Sequence, residues 1–95
     1  MLVPCDNPLF ELGQVIATSR IANDLSMPEI AELIMRHVTG DFGDLCESDR
    51  EMNLSAIRNN DDRILSAYQF PSYEKIYVIT EWDHSVTTIL YADEY

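Results

Sequence analysis

The chain has 95 residues, 46% of them hydrophobic, enough for one packed core and too few for two domains. A domain of this size buries only about 60 to 65% of its unfolded surface, which disfavours a large internal substrate chamber. Seventeen Asp and Glu oppose six Lys and Arg, for a formal net charge of -11. That balance disfavours direct binding to nucleic acid or to an anionic membrane, both of which are held through cations, and points to a basic partner surface. Solubility is the competing account of the same charge.

No apolar run approaches the roughly 20 residues needed to cross a bilayer, and the start Met1-Leu2-Val3-Pro4-Cys5-Asp6 lacks the basic and long apolar parts of a signal peptide. A cytoplasmic chain is expected, with Cys5 and Cys46 as free thiols, since neither belongs to a CxxC motif or pairs with a His at metal spacing.

Residues 1–8, with two prolines and the turn-prone Asp6-Asn7, read as an irregular lead-in, and residues 9–95 as a single α+β domain. Leu12 to Ala17 is compatible with a strand, and Thr18 or Ser19 with the N-cap of a short helical turn carrying Ile21, Ala22 and Leu25. Ser26-Met27-Pro28-Glu29 combines an N-cap serine, an early proline and a capping-box glutamate. A helix is therefore predicted from about Met27 to Thr39, with an apolar stripe of Met27, Ile30, Ala31, Ile34 and Val38, Arg36 and His37 at its negative end, and Gly40 as the stop.

After the tight connection Asp41-Phe42-Gly43-Asp44, two overlapping capping boxes, beginning at Asp44 and at Ser48, predict a second helix with Met52, Ala56 and Ile57 inward and the polar turn Asn59 to Asp62 at its end. The C-terminal part changes to β-formers, and strands are predicted over Ile64 to Phe70, Ile76 to Trp82 and Val86 to Tyr91. The short links Pro71-Ser72-Tyr73-Glu74 and Asp83-His84-Ser85 make them an antiparallel meander. In the middle strand Ile76, Val78, Thr80 and Trp82 face one side, with Lys75, Tyr77, Ile79 and Glu81 on the other. The expected fold is two main helices plus a short N-terminal element packed on a three- or four-stranded antiparallel sheet.

No constellation specifies a reaction. Asp41, Asp44, Glu47, Asp49 and Glu51 crowd one stretch against the single base Arg50. Such carboxylates can bind a hard cation or imitate a phosphate backbone, but the spacing misses the EF-hand loop, and helix capping accounts for several of them. No metal, cofactor or catalytic residue is assigned. A hydrolase would need His37, Cys46 and Asp41 or Asp44 together, yet an acidic neighbourhood disfavours the Cys46 thiolate. The simpler expectations are a buried Cys46, a His37 capping its helix and a solvated His84. Glu81 with Asp83 or Glu94 could form a glycosidase-type pair, although nothing selects them. Tyr68, Tyr73, Tyr77, Trp82, Tyr91 and Tyr95 gather in the sheet half, where any exposed member makes an interface anchor.

Arg36-His37-Val38-Thr39-Gly40-Asp41-Phe42-Gly43-Asp44-Leu45, Arg63-Ile64-Leu65-Ser66-Ala67-Tyr68, Lys75 to Asp83 and Thr87-Thr88-Ile89-Leu90 resemble segments of small plasmid-related proteins of bacterial plasmids, integrative elements and phages. Such proteins also carry the label type I restriction endonuclease subunit M. The likeness runs from about Leu9 to Tyr95 and departs at Phe42, where Trp is frequent, and at His84, where Arg is frequent. A methyltransferase role is inconsistent with the residues, which supply neither a glycine-rich strand-to-helix turn for the methyl donor nor an Asn-Pro-Pro-Tyr-like motif for a flipped base. What the resemblance implies is a mobile element that gains by disarming host defence. The resulting expectation is an anti-CRISPR or anti-restriction inhibitor that occupies the basic surface of a host defence protein or nucleoprotein complex. Asp41, Phe42, Asp44, Glu47, Asp49, Glu51, Glu81 and Asp83 are its candidate contacts. A small hydrolase and a passive structural module are the alternatives.

Overall fold

The computed structural model describes residues 8–70 and 73–95; residues 1–7 of the lead-in, Cys5 among them, and Pro71-Ser72 of the first strand link lie outside the described residues. Strand β1 (Gln14–Ala17) is followed by helices α1 (Ser19–Asp24), α2 (Met27–Val38) and α3 (Glu47–Asn59). Strands β2 (Ile64–Tyr68), β3 (Ile76–Thr80) and β4 (Val86–Tyr91) complete the fold with a short 3-10 turn, Ala92–Glu94. The architecture is α+β: three helices on a four-stranded sheet of order β1-β4-β3-β2. The meander β2-β3-β4 is antiparallel as expected. Its fourth member is not: β1 pairs parallel to β4, Gln14 opposite Val86 and Ala17 opposite Ile89, so the sheet is mixed. The intervening helices supply the long crossover that a parallel pair needs.

Local signals explain most boundaries. Thr18 Oγ1 caps α1, and Ser26 and Glu29 form the full capping box of α2. Helix α3 begins at neither predicted box: its N-cap is Cys46, which makes no side-chain capping bond. Asn60, left-handed at φ 53°, ends α3.

Strand alternation assigns the sheet faces. Tyr68, Ile76, Val78, Ile89 and Tyr91 share one face and pack against Ile21 and Leu25 of α1 and Leu33 of α2. On the same face Ile64 packs with Phe42 and Ala56. The inward row of α2 is thus Ile30, Leu33, Ile34, His37 and Val38, rotated from the predicted stripe, and Met27 and Ala31 face outward. Met52 of α3 is likewise exposed, and Asn53 takes the buried position. A buried leucine such as Leu33 is worth about 2–5 kcal/mol on truncation to alanine.

Candidate protein-binding face

Burial removes the chemistry the sequence allowed for His37. Its ring is fully buried, with Nδ1 2.6 Å from Ser66 Oγ and Nε2 2.9 Å from Thr80 Oγ1. The chain of hydroxyls fixes the proton positions. Thr87 Oγ1 donates to the Leu12 carbonyl at 2.7 Å, so it accepts from Thr80, 2.7 Å away. Thr80 has then spent its proton and accepts from His37 Nε2–H, which leaves Nδ1 to accept from Ser66. The imidazole is neutral, its pKa lowered to about 3 by burial. His37 therefore ties α2 to β2, β3 and β4 and does not cap its own helix. Cys46 is exposed and not buried as expected, with Sγ 3.3 Å from Ser48 Oγ, while both His37 nitrogens are taken by Ser66 and Thr80. His84 is also not freely solvated: it is half-buried in a left-handed turn position, φ 58°, with its ring edge-on to Phe10. Of the two carboxylate pairs, Glu81 with Glu94 is ruled out by placement, the two lying at opposite ends of the sheet. Asp83 accepts from Ser85 beside β3, and Glu94 accepts from Thr18 Oγ1 and Tyr91 N at the far end of the sheet.

The predicted acidic stretch is divided among three environments. Asp41 is engaged by Arg36 at 2.8 Å and accepts from Gly43 N, and the Arg36 hydrogen bond holds its carboxyl below the usual range. Arg36 also lies over the Tyr68 ring, whose hydroxyl donates to Asp41 O and is pushed up to about 12 by burial. Phe42 is only 1% exposed, a core residue closed to any partner. Asp44, Glu47, Asp49 and Glu51 are exposed. Within α3, Glu47 and Glu51 lie one turn apart on one side, and the 100° step of the helix sends Asp49 to another.

Asp49 instead joins Asp62, Arg63, Met52, Leu45 and Leu65 around an open groove of about 260 Å³ where α3 meets β2. Two interactions keep this strand edge closed. The Asn53 amide donates to Leu65 O at 2.6 Å and accepts from Leu65 N at 3.1 Å, reproducing a strand partner with a side chain. One residue pair along, Ala67 N donates to Phe42 O and Asp44 N donates to Ala67 O. Gly43 permits this approach, because a Cβ there would collide with the Ala67 carbonyl oxygen and its φ is +76°.

The groove opens onto the sheet face that carries no helix among the described residues. By register and alternation this face presents Leu65, Ala67, Tyr77, Ile79, Val86, Thr88, Leu90 and Ile16. Tyr95 folds onto it, ring centroid 5.9 Å from Tyr77, with the Arg63 guanidinium 5.3 Å from the Tyr95 ring. Ala67, Ile79 and Leu90 are buried, but the outer layer is open: Leu65, Tyr77 and Val86 are half-buried and Tyr95 is 62% exposed. In the turn that follows β3, Trp82 is also 62% exposed, flanked in sequence by Glu81 and Asp83. The row expected from the middle strand, Lys75, Tyr77, Ile79 and Glu81, belongs to this side, and its neighbours on β2 and β4 are apolar too. The signal was present: in Ile64-Leu65, Ile76 to Ile79 and Ile89-Leu90 the apolar run is continuous, as in strands covered on both faces.

Among the described residues no three His, Cys, Asp or Glu side chains converge to hold a metal ion, and no helix is long and apolar enough to cross a membrane. Protein-family models, curated proteins and solved structures gave no match to this chain.

Proposed function

We propose that the chain is a stoichiometric protein-binding inhibitor borne by a mobile genetic element, which covers a basic surface of a host nucleic-acid-handling defence protein. The observation that carries this reading is the sheet face with no helix on it among the described residues: Ile16, Leu65, Tyr77, Val86 and Tyr95 stand at least partly open on it, Asp49 and Asp62 line the groove at its β2 edge, and Glu81 follows β3 on the same side. An apolar centre with the exposed Tyr95 as anchor supplies affinity, and the carboxylate margin supplies orientation and encounter rate. The net charge of -11 favours a basic partner and opposes a second copy of the same chain. The resemblance to proteins of plasmids and phages supplies the biological setting.

Affinity capture from a bacterial host with the wild-type chain, Leu65→Glu and the Asp49→Asn/Asp62→Asn pair tests the reading. The wild type is expected to retain a defence nuclease or effector subunit with a basic groove, Leu65→Glu to lose it, and the Asn pair to hold it less tightly with a flatter salt dependence. Equal recovery by all three chains contradicts the proposal.

A further inference from the structure

The two outer edges of the sheet are finished differently. On β2 the outward N–H and C=O of Leu65 are taken by Asn53, and those of Ala67 by the Phe42–Asp44 backbone. On β1, Gln14 N donates to Ser85 O and Thr18 N to Ile89 O, so the even-numbered residues turn their main-chain groups toward β4. The groups of Val15 and Ala17 therefore point outward, and none has a hydrogen-bond partner among the described residues. All four β1 residues are exposed, Val15 at 39% and Ile16 at 43%. The strand itself contains no proline, lysine or bulge, the usual means of blocking an edge.

We infer that β1 is a strand-addition site, which accepts an extended segment of the partner as a fifth strand. The inference rests on the protein-binding reading and deepens it, since Ile16 belongs to both the open face and this edge. Main-chain bonds at Val15 and Ala17 hold the segment regardless of sequence, and alternate side chains fall beside Ile16 on one face and Val15 on the other. The occupant is a segment with basic side chains. Glu11 lies just before the strand, Asp83 lies in the turn after β3 and the chain as a whole is acidic. Gly13 brings the two segments together: a Cβ on it would collide with the main chain of His84 and Ser85. A second copy would instead bring two charges of -11 edge to edge.

The test uses the full ¹⁵N-labelled chain and an acetylated peptide of about ten alternating lysine and valine residues, followed by amide hydrogen exchange at physiological salt. Val15 and Ala17 amides, fast in the free chain, are expected to slow by about tenfold or more on saturation, as for any amide that gains a main-chain bond. The peptide N-methylated along its pairing edge is expected to bind about tenfold more weakly, the scale of one lost hydrogen bond. Val15→Pro, which removes an outward N–H and leaves the β4 ladder intact, is expected to do the same. Absence of peptide binding, or binding that leaves both amides fast, overturns the proposal. A peptide-free dimer that protects the same amides also overturns it in favour of self-pairing. Protection at β1 together with unchanged target capture by Leu65→Glu keeps strand addition and removes the face from the account; the reverse pattern removes strand addition alone.

Discussion

Asn53 holds both main-chain groups of Leu65 with one side-chain amide, at 2.6 and 3.1 Å. A helix residue thereby completes a sheet edge, and the edge is closed without another strand. Asn53→Leu keeps the volume but strands a half-buried N–H and C=O. A loss of about 1–3 kcal/mol is expected, with a tendency to pair edge to edge. Urea unfolding and sedimentation check both; an unchanged midpoint would remove Asn53 from the account.

The buried histidine sets an acid limit on stability. Its folded pKa, about 3, lies below the ordinary value of 6.5, so the unfolded chain binds the proton more readily. Stability is therefore full above about pH 6.5 and declines as pH falls toward 3, by up to about 1.4 kcal/mol per unit. Asp41 and Asp83, both held below the usual carboxylate range, add their own loss only at lower pH, below the unfolded carboxyl value near 3.8. Between about pH 4.5 and 6 the slope belongs mainly to His37. His37→Gln is expected to lower stability at pH 7 and to flatten this limb of the denaturation profile.

The direction of the hydroxyl chain makes a separate claim. Thr80→Val removes the acceptor of His37 Nε2–H and the donor to Thr87 at nearly constant volume, so it is expected to cost about 1–3 kcal/mol. The His37 ring should keep its Nε2–H tautomer in NMR, because Ser66 still donates to Nδ1.

Much of this was readable from neighbours in sequence. The capping box at Ser26, the polar turn from Asn59 to Asp62 and the meander are written within a few residues of where they act. What was not readable depends on distant partners. Nothing near His37 announces Ser66, Thr80 and Thr87, which lie 29 to 50 positions on, and nothing near Gln14 announces Val86. Phe42, in a connection full of acids, looked available to a partner until Ala56 and Ile64 closed over it. The same long-range packing splits the acidic stretch, so that Asp41 serves Arg36 and Gly43 while Asp49 lines the groove with Asp62.

Cys46 offers a stabilising change, because it occupies the N-cap of α3 without a capping bond. Cys46→Ser places a good acceptor there and is expected to add about 0.5–1 kcal/mol. The native thiol, being exposed, should alkylate without unfolding the chain. Slow alkylation, or a lower melting temperature for the serine variant, contradicts the geometry described.

The central claim is that the helix-free face meets the partner, and side-chain footprinting with hydroxyl radicals on the complex with the captured protein tests it most directly. Met52 lines the groove beside that face and Tyr95 lies on it, whereas Met27, 77% exposed, stands on the helical layer. Oxidation of Met52 and Tyr95 is expected to fall by about threefold or more in the complex while Met27 stays unchanged, as burial under a partner core demands. Protection of Met27 with Met52 and Tyr95 still oxidised at the free rate would contradict it.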